Sequence, residues 1–156
     1  MAPADLLQPL EGQREETLRI LDGLDDGQLE AVYRESGWTV KQIFAHIARA
    51  ELGEAFFIRS AGAGDMIHMS VEDRDQFNDE QAVDCEAWDR AQLRTELIDA
   101  RESLREAFAG LDEEAVDLPI RWPEWQARTI RTSIPYMLEH EDAHLDQVRA
   151  AVGLRV

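Results

Sequence analysis

The chain has 156 residues, the length of one ordinary domain, and its 44% hydrophobic and 31% charged residues are globular proportions. Its 33 acidic against 16 basic residues leave a net charge of −17, which repels a phosphate backbone or an anionic lipid surface and argues against nucleic-acid and membrane partners. No stretch nears the roughly 18 apolar residues of a membrane span, the N-terminus lacks the basic and long apolar pattern of a secretion signal, and the lone Cys85 has no partner for an internal disulfide, so a cytoplasmic location is expected.

Apolar residues recur at helical spacing in four stretches. The first is carried by Leu10, Thr17, Leu18, Leu21 and Leu24, and the turn formers of GLDDGQLEAVYRESG end it. The second opens at Thr39, with Gln42 three residues later as a capping box, and its stripe is Val40, Ile43, Phe44, Ile47, Ala50, Phe57 and Ile58 before SAGAGD stops it. The connection over residues 61–88 shows no such period and is expected to be a long crossover loop. The third helix follows Asp89 as N-cap, carries Leu93, Leu97, Ala100, Leu104, Phe108 and Leu111 on one face, and stops after Gly110. The fourth runs from about residue 132 to 152, because Pro135 is tolerated only in a first turn. No stretch alternates apolar and polar residues as a strand would. Four amphipathic helices predict an all-α four-helix bundle, one domain over residues 1–156.

The fourth helix contains HEDAH, residues 140–144, which fits the H-E-x-x-H signature of zinc proteases. Such proteases take a third ligand downstream and hold an extended substrate on a strand, and LDQVRAAVGLRV after His144 offers neither. The spacing itself remains informative. Four residues apart on a helix, His140 and His144 stack along one edge of the buried stripe, and His46 lies on the inward side of the second helix. An i, i+4 histidine pair with a third imidazole from another helix makes a facial set for a transition metal. His68 falls in the irregular DMIHMS.

Two carboxylates, Glu141 and Glu54, also fall in apolar stripes, with Glu51 at a stripe edge. Either of the first two can orient a ligand histidine or shuttle a proton as a catalytic group; the other readings are a water-reached bundle end and an interhelical ion pair with an arginine. Gln147, one turn beyond His144, can support that ligand. Trp122, Trp125, Trp38 and Trp88 can line a substrate pocket or close the bundle ends, and Arg121, Arg128 and Arg131 can grip an anion or balance surface charge. Cys85, in VDCEA, has no cationic neighbour in sequence to activate it.

The segments GWTVKQIFAHIARAE, DRDQFNDE and MLEHEDAHLDQV, in this order and spacing, resemble the DinB/YfiT-like metalloenzyme family over residues 6–152. The resemblance implies an up-down-down-up bundle in which His46, His140 and His144 bind zinc or nickel, with water in the remaining positions. It further implies kinship with mycothiol-dependent maleylpyruvate isomerase and bacillithiol S-transferases, hence a low-molecular-weight thiol cosubstrate and a small-molecule electrophile. The isomerases carry a Glu where this chain has His140, a departure that bears on isomerisation more than on the metal site. The alternative to an enzyme is a non-catalytic, stress-associated metal-binding bundle that forms a homodimer through a helical face.

Overall fold

The computed structural model describes residues 1–65, 69–121 and 127–154. Four long helices make the bundle: α1 (Gln8–Gly23), α3 (Val40–Gly62), α5 (Arg90–Ala109) and α6 (Ile130–Val152). Two shorter helices, α2 (Asp26–Leu29) and α4 (Val71–Asp84), lie in the connections. The helix starts follow the side chains that satisfy orphan backbone donors. The Thr39 hydroxyl accepts from the Gln42 amide at 3.1 Å while Gln42 Oε1 accepts from the Thr39 amide at 2.8 Å. Asp89 accepts from the Gln92 amide at 2.8 Å. At the other end of the chain Gly153, at φ 75°, takes the left-handed conformation that closes α6, and Leu154 donates back to the Arg149 carbonyl.

Side-chain pairings fix the helix directions. Glu11 meets Arg105, Asp22 meets Arg94 and the Leu24 carbonyl meets Arg90, so α1 and α5 are antiparallel. Arg49 meets Glu96 and Arg59 meets Ser103, so α3 and α5 run the same way. α6 packs against α1 and α3, parallel to the first, as Gln13 to Leu138 and Glu16 to Arg149 require. The order is up-down-down-up. Because α3 and α5 are parallel, their connection must travel the length of the bundle, which explains why 61–88 is long.

That connection is not an irregular loop. Residues 71–84 form α4, followed by a short 3-10 turn at Cys85–Ala87. Its sequence, VEDRDQFNDEQAVD, is too polar to show an apolar period, yet its start was written in SVED: Ser70 Oγ accepts from the Asp73 amide and Asp73 accepts from the Ser70 amide, both at 3.0 Å. Two further expectations are corrected. Pro119–Arg121 and Ala127–Thr129 pair as antiparallel strands β1 and β2, each three residues long and so too short to show a period of two. α6 starts at Ile130 behind the N-cap Thr129, two residues earlier than Pro135 suggested. Pro135 then lies in the second turn, and the carbonyl it leaves unbonded, that of Arg131, belongs to an exposed residue that water can reach.

The core is divided. One apolar cluster gathers Ile20, Leu21, Phe44, Leu93, Leu145 and Val148; the other gathers Leu10, Phe57, Ile58, Leu104, Phe108 and Ile134. Between them, one turn from apolar neighbours on every long helix, sit four buried charges: Arg14 on α1, Glu51 on α3, Arg101 on α5 and Glu141 on α6. Arg14 reaches Glu51 at 2.9 Å and Glu141 at 3.1 Å; Arg101 reaches Glu51 at 2.8 Å and Glu141 at 3.7 Å. Each helix contributes one charge to a layer that sums to zero. No helix among the described residues is long and apolar enough to cross a membrane.

Candidate metal centre

Because α3 and α6 are antiparallel, a residue near the start of one faces the second half of the other. His46 therefore meets both His140 and His144. The His140 Nε2 lies 3.2 Å from the Nε2 of His46 and 3.2 Å from that of His144. One ring nitrogen from each histidine lies within 4.8 Å of the others, a grouping that could hold a metal ion. Two nitrogens each about 2.0–2.1 Å from a tetrahedral zinc would be about 3.3 Å apart, so the cluster has the dimensions of a coordination sphere. The donor chemistry also fits. His144 Nδ1 donates to Gln147 Oε1 at 2.8 Å, which leaves the lone pair of its Nε2 directed at the common point.

Burial sets the protonation of the cluster. It pushes His46 down to about 2, helped by repulsion from His144 and His140. His140 falls to about 4, through burial, His144 and Arg128, against the pull of Glu141. His144 is lowered by burial too, partly offset by Gln147 and Glu141. At neutral pH three uncharged imidazoles share the site, the form that ligates a metal. Trp38 covers His46 with ring centroids 5.0 Å apart, and Tyr136 stacks on His140 at 6.0 Å.

The carboxylates are placed differently from one another. Glu141, beside His140 in sequence, has its carboxylate bonded to Arg14 Nε and Nη2 at 3.1 Å and to the Thr17 hydroxyl at 2.5 Å. Burial raises its pKa, but Arg14, Thr17 and Arg101 outweigh this and hold it below the usual range. It is thus the interhelical ion pair weighed in the sequence reading, and it anchors the helix that carries two of the histidines. Glu51 joins the same layer. Arg14 and Arg101 were the residues that sequence reasoning missed. The signal was present, since Arg14 lies four residues after Leu10, and Arg101 four after Leu97, inside apolar stripes.

Glu54 is fully sequestered, 3% exposed, and neither carboxylate oxygen has a hydrogen bond among the described residues. Arg128 Nη1 stands 4.0 Å from Glu54 Oε1, and the Arg128 Cζ lies over the Tyr136 ring, 3.9 Å from its centroid. Burial raises the Glu54 pKa to about 7, against Arg128 and with the help of Glu51. Glu54, Tyr136 and His140 all border a small cavity of about 30 Å³. Above pH 7 the folded chain must hold this carboxylate charged, whereas the unfolded chain ionises it freely near pH 4.5. Glu54→Gln is therefore expected to raise stability by about 1–3 kcal/mol at pH 8 and to leave it nearly unchanged at pH 5, measured by urea unfolding. Equal effects at both pH values would contradict the buried acid.

Outside the bundle centre, a larger cleft of about 590 Å³ opens onto His46 and His140. Its walls are α3, through Ala50 and Phe57, and α4, through Arg74, Phe77 and Asn78, so the DRDQFNDE segment borders the site. Trp38 and Trp88 pack against the apolar core cluster near the start of α3, and Arg131 makes an exposed pair with Asp117 at 3.0 Å. Cys85 is buried, and burial pushes its thiol up, away from the reactive thiolate. His68, Trp122 and Trp125 lie outside the described residues, and the side chain of Arg121 is likewise not described.

A family model described as the DinB superfamily matches residues 10–148, a span that holds all three histidines. The chain is also similar to a Bacillus subtilis (strain 168) protein named uncharacterized protein YuaE, 25% identical over 146 residues that cover 87% of this chain and 90% of the relative. No solved structure matches the chain significantly.

Proposed function

The chain belongs to the DinB superfamily, and from that premise we propose that it is a metal-dependent enzyme in which His46, His140 and His144 hold one divalent ion, zinc or nickel, to activate a low-molecular-weight thiol, or water, against a small electrophile. The observation that carries this reading is the convergence of three half-buried, uncharged imidazoles, with His140 Nε2 3.2 Å from each of the other two, beside an open cleft. An ion bound by three neutral ligands with a position left open supplies a positive centre that lowers the pKa of a thiol or water by several units.

The chain's own groups supply the rest. Gln147 fixes the tautomer and ring angle of His144. Glu141, through Arg14 and Thr17, holds the α6 turn that presents His140. Glu54 is assigned proton transfer: a carboxyl group with a pKa of about 7 gives and takes a proton at neutral pH, and the 30 Å³ cavity it shares with His140 has room for one water to carry it.

Elemental mass spectrometry on protein purified without a histidine tag tests the metal step. Wild type is expected to carry about one equivalent of zinc or nickel, and His46→Ala less than about a tenth of that, since each lost ligand weakens a three-ligand site severely. Wild type that stays metal-free after reconstitution with both ions would sink the reading. A screen of thiols with chromogenic electrophiles then separates an enzyme from a bundle that only stores metal.

A further inference from the structure

The cleft beside the histidines says something about the ligand that the histidines do not. Its described walls are apolar: Leu52, Phe56 and Phe57 from α3, Phe77 from α4, and Met69 ahead of it. Two of these aromatics are left in water, Phe56 at 53% and Phe77 at 37% exposure, one on each wall. Large rings kept exposed on facing walls of a concave site have a use that core packing does not explain.

Each cation in the lining already has a carboxylate partner, although the buried Nε of Arg49 makes no hydrogen bond among the described residues. Arg49 pairs with Glu96 at 3.3 Å and lies over the Trp88 ring at 5.0 Å, and Arg74 pairs with Asp75 at 3.0 Å. A phosphate or sulfate would have to compete with carboxylates for both cations, in a chain of net charge −17. The volume of about 590 Å³ falls in the range of sites that enclose one small molecule.

We propose that this cleft binds one small, largely apolar and uncharged molecule, an aromatic ring system or short alkyl chain, which enters past Phe56 and Phe77 with its polar end toward His46 and His140. The orientation of the polar end rests on the function proposed above. The apolar binding rests on the walls alone, and it holds with or without a metal.

The test is fluorescence titration with N-phenyl-1-naphthylamine, a neutral dye that brightens in apolar surroundings, on EDTA-treated and metal-loaded full-length protein. Saturable binding at one site per chain is expected in both forms. The double variant Phe56→Ser/Phe77→Ser should weaken it at least tenfold, and Ala50→Trp, which fills the cleft from α3, should abolish it. Both phenylalanines are exposed, so the double variant should keep wild-type circular dichroism and melting temperature. Ile98→Ser, which removes an exposed apolar side chain from α5, should leave binding unchanged. Non-saturable dye uptake, or wild-type affinity in the double variant, would overturn the proposal. Metal content read in parallel separates the two ideas: dye binding lost in the cleft variants of a protein that never takes up metal would remove the metal-dependent function and leave this inference standing.

Discussion

Replacing Arg101 by methionine is expected to cost about 3–5 kcal/mol of folding stability, the range for breaking a buried ion pair by removing one partner. Methionine keeps the length and apolar character of the arginine stem, so packing changes little. What goes is the charge. Arg101 donates to Glu51 through Nε and Nη2, at 3.0 and 2.8 Å, and to the Leu10 carbonyl at 2.5 Å. Without it Glu51 and Glu141 share Arg14 alone, a neutral layer becomes anionic, and the carbonyl of a fully buried residue loses its bond. Arg105→Met, on the same helix but at a surface pair with Glu11, is expected to cost at most about 1 kcal/mol. Urea unfolding of both variants decides the matter. A loss below about 1 kcal/mol for Arg101→Met would mean that the buried layer does not hold the bundle together.

Metal-free protein is expected to lose about 2–3 kcal/mol of stability between pH 6.5 and 4.5. His46 and His140 have folded pKa values of about 2 and about 4, below the ordinary 6.5. In that interval the unfolded chain binds protons that the folded one refuses, so stability rises with pH and falls as acid is added, by roughly 1.4 kcal/mol per pH unit for each such histidine. His144 acts in the same direction. Glu54 opposes them, because its raised pKa of about 7 makes the folded state the better proton acceptor between pH 4.5 and 7. Glu54→Gln should therefore steepen the acid loss. Zinc at a hundred times its dissociation constant should add about 2.7 kcal/mol at neutral pH and surrender that gain as protons compete for the imidazoles. Unfolding curves at stepped pH, with EDTA or zinc, test each part; stability constant from pH 6.5 to 4.5 in EDTA would refute it.

The four long helices were legible because each carries an apolar stripe long enough to show its period, and because Thr39, Asp89 and Gly110 mark ends by chemistry that acts locally. The histidine cluster was legible for a related reason. Spacing along α6 put two rings on one edge, and only one other helix offered a third. α4 was not legible by period, since a helix that lies on the bundle rather than in it needs few apolar residues. Its Ser70–Asp73 box was the remaining sign. The buried layer needed knowledge that no single helix contains. Glu51, Glu141, Arg14 and Arg101 each look like an anomaly on their own stripe, and only the packing shows that the four anomalies cancel.

The path of the chain between the parallel helices α3 and α5 has a further consequence. The three clustered histidines stand on α3 and α6, while one wall of the cleft stands on α4, which packs chiefly against α3 and holds neither core cluster together. Substitutions in α4 can thus accumulate without unsettling the histidines or the ion layer. The lining of the cleft can therefore drift on one element while the histidine cluster stays fixed on others, so that a single scaffold can vary the shape and chemistry of that cleft at little risk to its folding.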